Sequence, residues 1–590
     1  MGNNFCACEA VTEDPPVRTD PVPVVEDLPM EFPMWLIPAK VLVTLRPPLK
    51  PHKDMVEAGH LIQWRRGHPN KVMLISHQWA GTRHPDPKFE QFLVLQEAFL
   101  QMSQGNCRVS KDPSSELSEL NGRRTPVMSI EDQKACLDWD VWYDYFGCPQ
   151  IDDDRAYDNG AKELQAAVNS IPSYCTVADC VFVLAPTMRH SDSGRMMSRS
   201  TWGMRGWCRA ERTAFVLSQR EGQLMFISSP TSILVSNGNE WARAWPGEGH
   251  FTVEADREKV KQLTKDLLLI KCHSLWLRRN MPGWRFYQAL HPRAQGHPPM
   301  QEEESLEDFL QRYNLDTTLH HLDQGGLSPL MLASIEGNLS VIQKLVESQA
   351  NVNEFMSWDI KDAQLEGQHT ALSLAAALSN RPTVKLLLSL SADMHLPMDR
   401  LGSNAVMTAA RFGNHEVVPL LIAGPSDLLR QNFFGGRALH VASISENPQV
   451  TRTLLQMHSD PNVATNIGCP VLCFSPQYGT DPGHIEYLLK ARADPNFSGQ
   501  PVGSGVDLSK TWMKKVRENS ASLAEINLAL GNGGTPLHFA ALNGALEIAQ
   551  MLVQYKANPK AAWGEQSRTP LQLAQEQGHA SLVKLLEEIG

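Results

Sequence analysis

The sequence predicts two unlike halves, an N-terminal α/β domain on a mostly parallel sheet followed by an all-α solenoid of short repeats. Three observations carry this. From about Glu31 to Pro282, short apolar runs alternate with helix-length stretches, the pattern of strands joined by crossover helices. From about residue 319 onward, one pattern returns at a period near 33 residues. Finally, 590 residues exceed what a single hydrophobic core serves, since chains split into domains beyond about 250–300 residues.

Composition narrows the function classes. Hydrophobic residues make up 42% and charged residues 20%, which is ordinary for a globular chain and too apolar for wholesale disorder. With 54 Lys plus Arg against 65 Asp plus Glu, the net charge is −11, so there is no general electrostatic pull toward nucleic acid. No apolar run reaches the roughly 18–20 residues of a membrane span; the stretch from Phe32 to Leu45 is broken by prolines and a lysine. A secretory leader is not expected either. The 11 cysteines are scattered without a C-x-x-C pair, which reads as reduced thiols in an intracellular chain.

Residues 1–30 read as a proline-rich tail. It opens MGNNFCACEA and resembles an N-myristoylation site followed by palmitoylation sites, with Cys6 where Ser or Thr is usual. One acyl chain holds a protein marginally at a membrane and two hold it stably. Gly2 with Cys6 or Cys8 is therefore a candidate lipid anchor, giving peripheral contact at the cytoplasmic face. A plain disordered tail is the other reading.

Residues 31–290 form the α/β domain. Strands are expected at Val72–Ser76, Val141–Phe146, Val181–Ala185 and Leu224–Ile227, and helices at Lys88–Met102, Ala161–Ile171, Trp207–Arg220 and Asp256–Arg278. In the last helix Val260, Leu263, Leu267 and Leu268 recur at helical spacing. The polar stretch 105–125 reads as a surface insertion. Residues 291–318 read as a linker with a short helix near Ser305–Tyr313.

Residues 319–590 carry the repeat, whose fullest copy is GGTPLHFAALNGALEIAQMLVQYKANP, Gly533–Pro559. Equivalent positions are Ser328, Thr370, Asn404, Arg437, Pro470, Thr535 and Thr569, at separations of 42, 34, 33, 33, 65 and 34 residues. That makes about seven units, with insertions around 357–367 and 497–530. Thr535 can cap a helix whose first turn holds Pro536. Leu537, Ala540 and Ala541 then offer a small apolar face, and Asn543-Gly544 a left-handed turn. The second helix packs through Ile548, Met551 and Leu552. The unit resembles an ankyrin repeat, which implies a protein partner on the array's concave face and hairpin loops. By the same resemblance His440 and His538 are loop hydrogen-bonders.

Within the α/β domain, three segments recur in order: VMLISHQWAGTRHPDP at 72–87, VWYDYFGCPQ at 141–150, and VFVLAP followed by TWGMRGWCRAE ending at Glu211. Together they resemble the TIR-like domains and their fungal relatives, the heterokaryon-incompatibility (HET) domains. The second segment is similar to W-I-D-x-x-C-I-x-Q through Trp142, Asp144, Cys148 and Gln150, with one residue's difference at the ends. The third is similar to R-x-W-x-x-x-E through Arg205, Trp207 and Glu211, and to W-C-x-x-E through Trp207, Cys208 and Glu211. The resemblance covers about 150 residues, from Val72 to Arg220.

It implies a flavodoxin-like sheet and two output modes. In one, the domain self-associates as a signalling output. In the other, it cleaves NAD, as substrate, at the nicotinamide–ribose bond with no resident cofactor required. Glu211 is then the candidate catalytic carboxylate, because breaking a glycosidic bond builds oxocarbenium-like charge that a nearby carboxylate stabilises. His77, Asp144 and Trp207 are candidates to line that pocket. A structural role for Glu211, fixing its helix to the Ser76–His77 strand end, stands beside it.

Other constellations are weaker. A His77–Cys148 thiol–imidazole pair, a metal set of His77, His84, Asp86 and Asp144, and the acidic run Asp152–Asp154 each have a plainer structural reading, and no metal is expected. Neither G-x-G-x-x-G nor a G-x-x-x-x-G-K-[ST] loop occurs. The expectation is a cytoplasmic adaptor or sensor.

Overall fold

The structure, a computed structural model, describes residues 28–590 apart from 83, 112–114, 116–125, 150–159, 219–221, 237–240, 242–243, 295–303, 316–325, 358, 361–366, 379, 400, 446, 479–480 and 522. Gly2, Cys6, Cys8, Gln150 and Asp152–Asp154 lie outside the described residues.

The strands among the described residues are β1 Trp35–Pro38, β2 Ile62–Gln63, β3 Val72–His77, β4 Arg108–Lys111, β5 Asp140–Tyr143, β6 Cys180–Leu184, β7 Met188–Arg189, β8 Met196–Met197, β9 Gln223–Ser229 and β10 Ser232–Ser236. Eight of them form one sheet in the order β2-β1-β5-β3-β6-β9-β10-β4. β5, β3, β6 and β9 are mutually parallel. β1 runs antiparallel to β5, and β10 antiparallel to β9. The sheet is therefore mixed: its centre and the β10–β4 pair at one edge have the parallel character expected, and the remaining pairs are antiparallel. The cause at one edge is local. Pro230 and Thr231 alone separate β9 from β10, and a connection that short makes only a hairpin.

Two further expectations are corrected here. The strand expected to run to Phe146 stops at Tyr143, and the chain turns into a short helix, Asp144–Gly147. Part of the expected surface insertion, Arg108–Lys111, is a strand paired with β10.

Strand alternation splits the sheet's residues between two cores. Met73, Ile75, Val141, Tyr143, Phe182 and Leu184 pack with Phe92, Leu95 and Phe99 of helix Glu90–Ser103. Val72, Leu74, Trp142, Val181 and Val183 join a second cluster with Tyr174, Ala214, Leu267 and Leu268 from the helices on the opposite face. That second cluster continues without a break into the C-terminal half, as far as Leu586.

The C-terminal half is a series of helix pairs. First helices begin directly after Ser328, Thr370, Asn404, Arg437, Thr535 and Thr569, and a 3-10 turn follows Pro470. The caps are chemical. Ser328 Oγ accepts the Met331 N–H at 3.3 Å, and Asn404 Oδ1 accepts that of Met407 at 3.1 Å. The His538 ring meets the Thr535 hydroxyl at 2.8 Å and the Arg568 carbonyl at 3.1 Å, tying one unit to the next. Asparagines link successive hairpin tips: Asn462 Oδ1 accepts from Asp494 N and Asn496 Oδ1 from Asn558 N, both at 2.7 Å. The insertion near 497–530 is itself helical, Gly505–Arg517 and Leu523–Leu530.

The α/β domain docks along the edge of the array formed by the turns between paired helices. Helix Met281–Ala289 packs on the first unit's helix Pro329–Glu336, and Arg285 donates to the carbonyls of Tyr313 and Asn314, at the end of the short helix before it, at 2.8 and 2.6 Å. Ser198, Arg199 and Ser200 face Asn543, Gly544 and His579 of the last two units. At Gly578 a Cβ would lie 3.4 Å from Thr231 Oγ1. The opposite edge, made by the hairpin tips, takes no part in these contacts. Among the described residues no helix is long and apolar enough to cross a membrane. The nine cysteines described are all buried and outside disulfides.

Candidate functional site

The C-terminal ends of parallel strands leave a crevice where the strand order reverses, and ligands of open α/β sheets bind there. Along β5-β3-β6-β9 the chain order is second, first, third, fourth, so the reversal falls beside β3. Ser76 and His77 close β3, Asp144 follows β5, and helix Gly206–Leu217 brings Glu211 over the same edge. That helix starts where two backbones touch: a Cβ on Gly249 would lie 2.5 Å from Gly206 Cα and 2.6 Å from its nitrogen.

Two linked arrangements result. In the first, Trp202 Nε1 donates to Ser76 Oγ at 2.9 Å, and Ser76 donates in turn to Glu211 Oε2. In the second, His77 Nε2 meets Asp144 Oδ1 at 2.7 Å while its Nδ1 faces Gln91 Oε1 at 3.2 Å. Trp79 Nε1 donates to the other Asp144 oxygen at 2.8 Å. The His77 ring stacks on Tyr143.

Electrostatics separates the two carboxyls. Burial drives the Glu211 pKa up to about 7; the Ser76 hydrogen bond opposes this and the Asp144 charge adds to it. Burial would also raise Asp144, but the His77 charge and hydrogen bond outweigh it and hold Asp144 below the usual range. For His77, burial works against the cation, and Asp144 more than compensates, so its pKa is raised. The site thus sets an Asp144–His77 pair, in which each partner favours the other's charged form, beside a carboxyl whose pKa is raised to about 7. Opposed environments of this kind assign acid and base roles to neighbouring carboxyls. Glu211 and Asp144 are both only half-buried, which leaves each accessible from solvent.

The remaining candidates fall elsewhere. Trp207 directs its indole N–H to Asp256 at the start of helix Asp256–Leu277, at 3.1 Å. Cys148 is buried, and that burial pushes its thiol well above the ordinary range; the His77 ring nitrogens are engaged by Asp144 and Gln91. Asp86 accepts the Phe92 N–H at 2.8 Å and so caps helix Glu90–Ser103. No group of three or more metal-ligating side chains occurs among the described residues. Sequence reasoning missed Trp202 and Trp79. Trp79 had a signal, since it lies two residues beyond His77 within the 72–87 segment; Trp202 reaches Ser76 across 126 residues.

Comparison with known proteins speaks to the other half. A family model described as Ankyrin repeats matches three times, over residues 301–398, 372–465 and 511–590. A probable E3 ubiquitin-protein ligase, XBOS33 of Oryza sativa subsp. japonica, is 29% identical over 33% of this chain and 33% of its own length. The E3 ubiquitin-protein ligase XBAT33 of Arabidopsis thaliana is 28% identical over 33% of this chain and 31% of its own. Ankyrin repeat and SAM domain-containing protein 6 of Danio rerio is 25% identical over 40% and 29%. The chain thus spans about a third of the length of these curated relatives. With helix pairs starting at the same residue positions as the repeating pattern, the C-terminal half of this chain is built of ankyrin repeats.

Proposed function

We propose that this chain is a protein-interaction adaptor or sensor, in which the ankyrin repeats recognise a protein partner and the α/β domain passes the event on by association. The α/β domain is read here as TIR/HET-like with a flavodoxin-like sheet. The supporting observation is which side of the array stays open. The turn edge is covered by the α/β domain, whereas the hairpin edge exposes Phe433 and Val502 at 70% and 55%. Backbone hydrogen bonds of 2.8 Å run Phe433 to Leu401, Asn466 to Phe434 and Val502 to Asn466, so these tips form one connected row. Single exposed apolar residues are ordinary; a connected row is what marks a contact patch. The test is affinity capture with the full chain against the Phe433→Ser/Val502→Ser variant. A partner held through this edge is depleted at least about tenfold, since large side chains at interface centres carry most of the affinity. Equal recovery would sink the reading.

A second reading, NAD cleavage, is favoured by one observation: Glu211 stands half-buried at the sheet's C-terminal edge with its pKa raised to about 7. In that reading the ionised carboxylate steadies positive charge on the ribose as nicotinamide leaves, and water completes the hydrolysis. Turnover would then climb as pH rises through about 7 and vanish in Glu211→Gln. Association alone predicts that concentrated full chain leaves NAD intact.

Two other properties belong to the proposal. Gly2, Cys6 and Cys8 are proposed to carry lipid that holds the adaptor at a membrane. Metabolic labelling with fatty-acid analogues should mark the wild type and not Gly2→Ala; an unlabelled wild type ends that idea. The ligase activity in the plant relatives' names is not carried over, because about a third of each is matched and no residue here gains a role in ubiquitin transfer by it.

A further inference from the structure

Trp79 is the one exposed tryptophan among the described residues, open to solvent over 38% of its surface, and it follows directly on the end of β3, where Ser76 and His77 close the crevice. A single exposed aromatic is ordinary on a protein surface. What sets this one apart is how firmly the ring and its loop are fixed.

The indole N–H donates to Asp144 Oδ2 at 2.8 Å, and the other oxygen of Asp144 is held by His77 Nε2 at 2.7 Å. The chain beyond the ring is pinned as well. Ala80, fully buried beside Met188 and Met197, donates its N–H to the Pro85 carbonyl at 2.6 Å and accepts from Ser191 N at 2.7 Å. Thr82 N donates to Asp192 Oδ2 at 2.7 Å, and a Cβ on Gly81 would lie 2.5 Å from the Pro87 ring. An indole anchored by its edge, on a loop closed from both sides, has little freedom left to lose when something stacks on it.

The charges around the ring select what stacks. The carboxyls of Asp144, Asp86 and Glu211 all act on His77. Two cations stand against these three acids. One is His77 itself, buried between Asp144 and Gln91. The other is Arg205, which donates to Thr252 Oγ1 at 2.9 Å and whose charge acts on Glu211. His84, whose pKa is lowered by burial, adds no charge at neutral pH. The crevice is acidic on balance, and the electron-rich indole face adds to the same preference, because its quadrupole attracts cations.

We propose that Trp79 is the ring-binding residue of this crevice and that the ligand it takes carries a flat, positively charged ring. A compact ammonium would answer the charge and leave the indole face uncovered, and an anionic ring would meet three carboxyls. In the NAD-cleavage reading this ring is the nicotinamide, which is a cation in NAD and neutral in NADH, so Trp79 sorts the oxidised form from the reduced one. The proposal rests on that reading for the ligand's identity and not for the ring's shape or charge.

The test is ligand-observed NMR titration of the full chain at constant ionic strength. The probes are 1-methylnicotinamide, which is a flat cation, and nicotinamide, its neutral counterpart. NAD and NADH are titrated into Glu211→Gln, so that neither is consumed. 1-Methylnicotinamide is expected to bind saturably and at least about fivefold more tightly than nicotinamide, and NAD to exceed NADH by a similar factor. Trp79→Ala should weaken 1-methylnicotinamide and NAD by at least about tenfold. Trp79→Phe, which keeps a ring and gives up the Nε1–H, should fall between the two and serves if the Ala variant fails to fold. Absent saturation by 1-methylnicotinamide, equal affinity for the charged and neutral rings, or equal affinity in wild type and Trp79→Ala would each overturn the proposal. Binding of 1-methylnicotinamide through Trp79 in a wild type that leaves NAD intact would support it and overturn the cleavage reading alone.

Discussion

Glu211→Gln is more stable than the wild type at pH 8 and nearly equal to it at pH 4.5. Folding raises the pKa of this carboxyl from its ordinary value near 4.5 to about 7. The folded state therefore keeps a proton that the unfolded chain releases between those values. Stability falls with pH wherever the folded state binds more protons, so the wild type loses stability from about pH 4.5 to 7 and then levels off. Gln makes a comparable hydrogen bond with Ser76 and has no proton to lose. The gain above pH 7 should be about 1–3 kcal/mol, the upper end being the full linkage value and the lower end allowing for solvent at a half-buried group. Urea unfolding followed by tryptophan fluorescence reads it, because eleven of the 14 tryptophans precede residue 291. Parallel pH profiles for the two proteins would show that burial does not strain this carboxyl.

Gly468→Ala destabilises the array by about 2–4 kcal/mol, combining a left-handed backbone cost with overpacking. Gly468 sits at φ +87° in the hairpin tip before the fifth unit. A Cβ there would collide with the Gly531 carbonyl and lie 3.0 Å from the Gln500 carbonyl carbon. The insertion thus leaves and rejoins the array at points where backbone crosses backbone, which is how helices Gly505–Arg517 and Leu523–Leu530 gain a fixed place. Gly503→Ala is the control. It also has positive φ, +54°, but nothing lies within 4 Å of its Cβ position, so it should cost about 1 kcal/mol or less. Equal midpoints for the two variants would refute the crossing argument.

The array was legible because each unit repeats its own local chemistry: a capping residue, a small apolar face and a turn. The repeat starts at Ser328, Asn404 and Thr569 need nothing beyond their own segment. The α/β site was legible in part. His77, Asp144 and Glu211 stand out through the order of three motifs, and the structure brings them to one sheet edge. Trp207 was a candidate there by the same resemblance, but Asp256 from a helix some fifty residues later takes its N–H. Trp202 supplies the contact instead, and no spacing rule links it to Ser76. Strands β1, β4 and β10 were not legible: β1 and β4 are short and pair with segments distant in the chain, and the Pro230-Thr231 turn that joins β10 to β9 carries no Asn-Gly or Gly hairpin signal. The docking of the two halves was not legible either, since Gly544 and Gly578 carry turn signals that say nothing of what packs against the turn.

The hairpin edge as recognition surface is tested most directly by hydrogen exchange on the full chain with and without the partner that the Phe433→Ser/Val502→Ser variant fails to hold. Protection is expected at the tips, around 430–436, 462–468 and 497–506, with the turns at 413–415, 543–546 and 577–579 unchanged beneath the α/β domain. Protection confined to those turns, with the tips exchanging as before, would place the partner on the opposite edge and contradict the account.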